Sequence, residues 1–175
     1  MANYQIEKIK PQHDAAICQI IKAVGEEYGA IGEGFGPSDA EVLAMSQHYN
    51  EESSDDNNSC YFVATIDGEI VGGGGIAAFN GSATVCELRK LFLLPGSRGL
   101  GLGQALTQAC LDYAQSKGFT ECYLDTVATM KEAIALYQKL GFTHLDQPFG
   151  GSIHGACDVW MIKSLIKKGF STPQD

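Results

Sequence analysis

The stretch Arg98-Gly99-Leu100-Gly101-Leu102-Gly103 sits between an apolar run, Leu91-Phe92-Leu93-Leu94-Pro95, and a helix-like pattern. The first N–H groups of a helix have no acceptor within it, and its dipole is positive at that end. Glycines let an anion reach those groups, and an arginine adds charge-assisted hydrogen bonds, so the stretch suits an anion, with tight helix–strand packing as the other reading. The G-x-G-x-G spacing is weak evidence by itself. A dinucleotide fingerprint would follow the first strand of a βαβ unit. Here the loop follows the fourth strand, after an antiparallel hairpin, which argues against a dinucleotide fold. The four glycines at 72–75 are followed by no Lys-Ser/Thr pair, so a P-loop is not expected there. A bulge, or close approach of another backbone, accounts for them better.

These residues need elements to position them. "YQIEKIK" (4–10) alternates as a strand, and residues 13–29 carry Ala16, Ile17, Ile20, Ile21 and Val24 at helical spacing. After a glycine-rich turn, Ser38 or Asp39 is placed to cap a second helix. Residues 51–59 are polar and acidic, as in a solvated loop. Residues 60–79 form a hairpin turning at Asp67-Gly68, and 83–95 form the next strand. A helix follows over 101–118, with Leu102, Ala105, Leu106, Ala109, Cys110 and Tyr113 on one stripe. A strand (119–126), a helix (129–141) and two strands ("FTHLD" and "ACDVWMIKSL") complete the order β-α-α-β-β-β-α-β-α-β-β.

Composition narrows the function classes. The 175 residues, 45% hydrophobic, fit one domain over 1–175 with a sizeable core. A net charge of -9 leaves no basic footprint for nucleic acid. No apolar run is long enough for a membrane span, and the N-terminus lacks signal-peptide character, so a cytoplasmic protein is expected. The six cysteines form no C-x-x-C pair, which points to free, mostly buried thiols and to no metal. His13 and His48 are placed on helix surfaces, His144 in an edge strand and Trp160 in the core; His154, in the connection before the last strand, reads as a solvated loop residue, with a ligand or base role as the alternative.

The stretch Leu91 to Gly103 resembles the acetyl-CoA-binding motif of the GNAT superfamily of N-acetyltransferases, with Arg98, Gly101 and Gly103 matching Arg/Gln-x-x-Gly-x-Gly/Ala and Pro95 at the strand end. The likeness continues through "LDTVATMKEAIALYQKLGF" (124–142). It implies an α/β (α+β) fold: a mixed, largely antiparallel twisted sheet flanked by helices and splayed at the acetyl-CoA strand. It implies acetyl-CoA as donor, its pyrophosphate on Arg98, Gly99, Leu100, Gly101, Leu102 and Gly103, with Gln104 nearby. The pantetheine arm would lie along Phe92, Leu93 and Leu94, and the Leu93 N–H would serve the oxyanion. By the same likeness Glu87 is the expected base and Tyr137 the acid beside the sulfur. A carboxylate begins near pKa ~4.3 and becomes useful when burial lifts it to roughly 6–7. Ion pairing with Arg89 or Lys90, and core packing, are the competing roles for these two. Glu26, Glu27 and Glu33 are alternative proton acceptors or cation holders. Many relatives carry asparagine where this chain has Met130, which weakens the expected contacts from that helix.

The expected acceptor is a primary amine of a small molecule or peptide, without nucleic acid or membrane, and relatives often form homodimers. The alternatives are a non-catalytic acyl-CoA-binding or sensing domain on the same fold and, more distantly, a dinucleotide- or phosphate-binding enzyme.

Overall fold

The computed structural model describes residues 3–49 and 58–166. Its elements are β1 (Tyr4–Lys8), α1 (Asp14–Glu27), α2 (Met45–His48), β2 (Cys60–Ile66), β3 (Glu69–Ala78), β4 (Val85–Leu93), α3 (Leu102–Ser116), β5 (Glu121–Thr126), α4 (Lys131–Lys139), β6 (Thr143–Leu145) and β7 (Val159–Ser164). The strands form one sheet in the order β1-β2-β3-β4-β5-β7-β6. Every neighbouring pair is antiparallel except β4 and β5. The element order expected from sequence is therefore the observed one. The β2–β3 turn has positive φ at Asp67 and Gly68, as a tight hairpin requires.

Two irregularities in the centre of the sheet prepare the site. The first is a bulge in β4. Gly73 stands opposite Phe92 and Gly75 opposite Arg89, so β4 runs three residues where β3 runs two. The strain falls on Lys90, at φ +51, and Tyr61 Oη donates to the Lys90 carbonyl at 2.8 Å. The glycines at 72–75 make room for this: a Cβ on Gly73 would stand 2.5 Å from Tyr61 Cε1 and 2.7 Å from the Phe62 carbonyl. The second irregularity is a splay. Strands β4 and β5 pair only at Val85↔Glu121, Cys86↔Cys122 and Glu87↔Tyr123. Beyond that rung they part, while β5 stays paired with β7 as far as Thr126.

The sheet divides two cores. One face packs Cys86, Leu88, Cys122 and Leu124 with Cys110 and Leu111 of α3 and Tyr137 of α4. The other packs Tyr61, Val63, Ala77 and Phe92 with Ile17, Ile21 and Val24 of α1. None of the six cysteines is in a disulfide, and four are buried. Among the described residues no helix is long and apolar enough to cross a membrane.

Three expectations change. The second helix is mostly two 3-10 segments, Gly36–Ser38 and Ala40–Ala44, before the short α2. Side-chain bonds from Asp39 and Glu41 to Lys90 hold this stretch, so tertiary contacts override its weak helical pattern. His13 is buried rather than on the surface: its Nδ1 accepts from the Lys10 N–H at 3.0 Å and its Nε2 lies 3.5 Å from Glu7. Trp160 is only half-buried. Of the acidic loop at 51–59, residues 51–57 lie outside the described residues.

Candidate active site

The glycine loop ends in the N-terminus of α3. Gly101 caps that helix at φ +83 with no side-chain hydrogen bond, and Gly99 also has positive φ. Nothing lies within 4 Å of where a Cβ would stand on either residue, so the space above the first N–H groups is open. A cavity of ≈ 520 Å³ begins here and continues along β4 past Leu91 and Leu93 to Met130 and α4. Its far wall joins α1 to α4, where Tyr28 Oη donates to Glu132 at 3.3 Å and Thr129 Oγ1 donates to the Tyr28 carbonyl at 2.8 Å.

Strand alternation aims one backbone group into this gap. The Leu94 N–H donates to the Val71 carbonyl at 2.8 Å, which makes that rung a hydrogen-bonded pair. The adjacent rung, Gly72↔Leu93, is then non-hydrogen-bonded, and both backbone groups of Leu93 face away from β3. The Leu93 carbonyl accordingly accepts from Arg98 Nε at 3.1 Å and Nη2 at 2.9 Å. Arg98 is further held by both oxygens of Glu27, at 3.0 and 2.5 Å, and lies over the Tyr28 ring.

A smaller cavity, ≈ 60 Å³, opens on the α1 side of the splay and shares Met130 with the first. Phe35, Pro37, Phe92, Glu87, Asp125 and His154 are among its walls. Glu87 is 4% exposed, and its Oε1 accepts from Arg89 Nε at 2.9 Å. Its other oxygen accepts no hydrogen bond from a described residue, and Glu87 is one of the residues lining the cavity. Burial raises the Glu87 pKa; Arg89 pulls against this and Asp125 adds to it. His154 is buried between Asp125 and Asp39. Single donor atoms of Glu87, Asp125 and His154 lie within 4.8 Å of one another, a spacing that would suit a cation. Both imidazole nitrogens lie at hydrogen-bond distance from carboxylates, so a cation there would have to displace one of these contacts.

A family model described as the acetyltransferase (GNAT) family matches residues 26–142. The chain belongs to the GNAT family. The uncharacterized N-acetyltransferase YjgM of Escherichia coli (strain K12) is 38% identical over 162 residues, covering 91% of this chain and 94% of its own. N-acetylaspartate synthetase of Xenopus tropicalis is 35% identical over 103 residues, 58% of this chain and 35% of that one. Among solved structures, a GNAT acetyltransferase of Staphylococcus aureus Mu50 superposes with TM-score 0.76 at 18% identity, covering 94% of this chain and all of the other. The structure of yncA from Salmonella typhimurium, solved with acetyl-CoA, gives TM-score 0.72 at 19% identity over 98% of both chains. At these identities the structures attest the GNAT fold: a mixed, mostly antiparallel sheet flanked by helices.

The GNAT frame distributes the sequence-derived residues unevenly. Leu93, Arg98, Gly99, Gly101, Gly103 and Gln104 line the larger cavity, and Phe92 lines the smaller. Leu100 is exposed, Leu102 is buried in the core, and Leu94 packs toward α1, so none of these three side chains lines either cavity. Tyr137 is buried in the same cluster as Leu88 and Leu124, the first residues past the last β4–β5 rung. It lines neither cavity, yet its hydroxyl has no hydrogen-bond partner among the described residues and is not sealed. Burial raises its pKa far above the ordinary phenol value. Sequence reasoning missed Asp125, Asp39 and Lys90. It also placed His154 in solvent, where the structure buries it against two carboxylates. The sequence offered only the presence of an isolated histidine before the last strand.

Proposed function

We propose that the protein is an N-acetyltransferase that moves an acetyl group from acetyl-CoA to a primary amine of a small molecule or peptide by direct attack. The observation that carries this reading is a pair of cavities on the two sides of Met130, which lines both. One runs from an open helix N-terminus along the unpaired edge of β4, and the other ends on a buried carboxylate. The fit to the donor rests on that open N-terminus, the length of the larger cavity and the free backbone edge beside it.

Bound acetyl-CoA supplies an activated acetyl group on a thiol. The N–H groups opening α3 would hold its pyrophosphate, and its amide arm would lie along the β4 edge at Phe92, Leu93 and Leu94, where the backbone groups of Leu93 are the ones turned to the gap. Arg98 would have to exchange Glu27 for the pyrophosphate to contribute there. The Leu93 N–H would donate to the oxygen on which charge develops. Glu87, which lines the smaller cavity, would take the proton of the incoming ammonium. Tyr137 would donate its proton to the departing thiolate, and its raised pKa keeps it protonated for that role. These two groups belong to opposite faces of the sheet, so base and acid approach the splay from different sides.

The test is release of free thiol from acetyl-CoA across a panel of amines. Donor binding without turnover on any amine would instead favour a non-catalytic binding domain. With an active amine, kcat of the wild type should climb with pH through a range above the ordinary carboxylate pKa, because Glu87 must be ionised. Glu87→Gln should lose that limb and about 10²–10⁴ in rate. A wild-type profile in the variant would remove Glu87 as base. Tyr137→Phe should lower kcat by roughly 10- to 1000-fold with little change in KM. An unchanged kcat with a lower Tm would make the residue structural.

A further inference from the structure

His154 lies on the β6–β7 connection, in the same cavity wall as Glu87. Its Nδ1 lies 3.0 Å from Asp125 Oδ1 and its Nε2 2.8 Å from Asp39 Oδ2, both at hydrogen-bond distance. An ionised carboxylate can only accept, so with Asp125 and Asp39 both ionised the two ring nitrogens each carry a hydrogen and the ring is an imidazolium. The bonding continues in both directions. Asp39 Oδ2 also accepts from Lys90 Nζ at 2.9 Å, and Lys90 is paired as well with Glu41, which accepts from Tyr49 Oη at 2.8 Å. Asp125 Oδ2 accepts from Ser152 Oγ at 2.8 Å. The backbone repeats the link between the same two segments, since the Ala156 N–H donates to the Gly34 carbonyl at 3.3 Å.

Asp125 belongs to β5 and Lys90 to the bulge of β4. The ladder between those strands stops at Glu87↔Tyr123, and past that rung the chain Asp125–His154–Asp39–Lys90 spans the gap. The other titratable groups around the ring are Glu87, beside Asp125, and Cys157 in the same cavity wall. Burial alone would lower the His154 pKa, but the bonds to Asp125 and Asp39 outweigh it and push it up to about 10.

We propose that this four-residue chain is a brace that fixes the width of the acceptor pocket, with His154 a positioning residue for the amine and not a base. The role rests on reading the smaller cavity as the acceptor pocket. A ring protonated on both nitrogens accepts no proton, and it ties together the two loops that wall the pocket. Removing it leaves the Asp125 and half-buried Asp39 carboxylates with no group between them to hold the two walls together. The donor cleft, on the far side of Met130, is not part of the chain.

Two measurements test the brace. Ring nitrogen NMR on the full wild-type chain at pH 8 should show His154 as an imidazolium with both N–H protons. A neutral ring with one proton would overturn the proposal, whatever the enzyme acts on. Steady-state kinetics of His154→Gln, Asp39→Asn and the double variant supply the second readout. Each single change should raise the amine KM about 10- to 100-fold, as misplaced substrates do, and leave the acetyl-CoA KM unchanged. The double variant should be no worse than the poorer single one, because both changes cut the same chain. Additive losses, equal rises in both KM values, or a fall in kcat with loss of the pH limb would each overturn it. Should His154→Gln fail to fold, Asp39→Asn and the wild-type spectrum still decide. A wild type with no turnover on any amine would count against the proposed function, while the ring spectrum still judges the brace.

Discussion

Gly99 and Gly101 have φ of +77° and +83° with empty space where a side chain would begin, whereas the glycines at 72–75 have no left-handed φ and no space at all. In the first group the backbone conformation demands glycine and the emptiness suits a ligand. In the second the conformation would admit any residue, and the Tyr61 ring, the Leu91 side chain and neighbouring carbonyls fill the volume. A run of glycines in sequence therefore carries two opposite meanings: one clears room for a guest, and the other lets the protein pack against itself. The packed set also permits the β4 bulge, and the bulge directs Lys90 toward Asp39.

Substitutions that exchange these meanings should have graded effects. The largest is expected from Gly73→Val, whose Cβ would meet a backbone carbonyl and the Tyr61 ring. Overpacking costs typically ~1–3 kcal/mol, and here the fixed backbone puts it at or above the upper end. Thermal unfolding should show a strongly lowered or absent transition; a Tm near wild type would mean that β2 and β3 can move apart freely. Next comes Gly101→Glu, which sets a carboxylate where the pyrophosphate would sit. Calorimetry should show acetyl-CoA affinity lost in a folded protein. The control is Gly101→Ala, which introduces about 1–2 kcal/mol of left-handed strain without charge. It should lower Tm and retain measurable donor binding. Equal loss of binding in both would show that strain, not charge, is responsible. The smallest effect belongs to Gly103→Ala. Its φ is not left-handed, and its Cβ would meet only the flexible ends of Leu136, at 3.2 Å, and Leu93, at 3.6 Å. Slightly weaker donor binding with an unchanged Tm is expected. A collapse of binding would make Gly103 a contact point for the donor rather than a spacer.

Much of the frame was legible because its signals are local. The Asp67-Gly68 turn, the stripe of α3 and the glycine loop are each written within a few residues, and together they yield the element order. Glu87 could be paired with Arg89 by inspection, two positions away on the same face of β4. The acceptor end could not be read that way. Asp39 and His154 meet across 115 residues, and Lys90 reaches Asp39 across 51. No spacing rule links them, and a single histidine among glycines resembles a solvated loop. Burial of His13 was hidden for a related reason: the Lys10 N–H that it accepts lies before the helix, outside the helical period.

The splay leaves part of β4 in an unusual position, at the middle of a seven-stranded sheet and yet at an edge. Amides in the centre of a sheet normally exchange their hydrogens with solvent only when large parts of the protein open. Leu94, bonded to the Val71 carbonyl, should behave this way. Leu93, one residue earlier, should trade its hydrogen for deuterium quickly in the free protein. Addition of acetyl-CoA should slow that trade more than at any other residue of β4, so a single amide pair reports when the donor has closed the gap. Slow exchange at Leu93 without ligand would mean that its N–H already has a partner, and the oxyanion would need another donor.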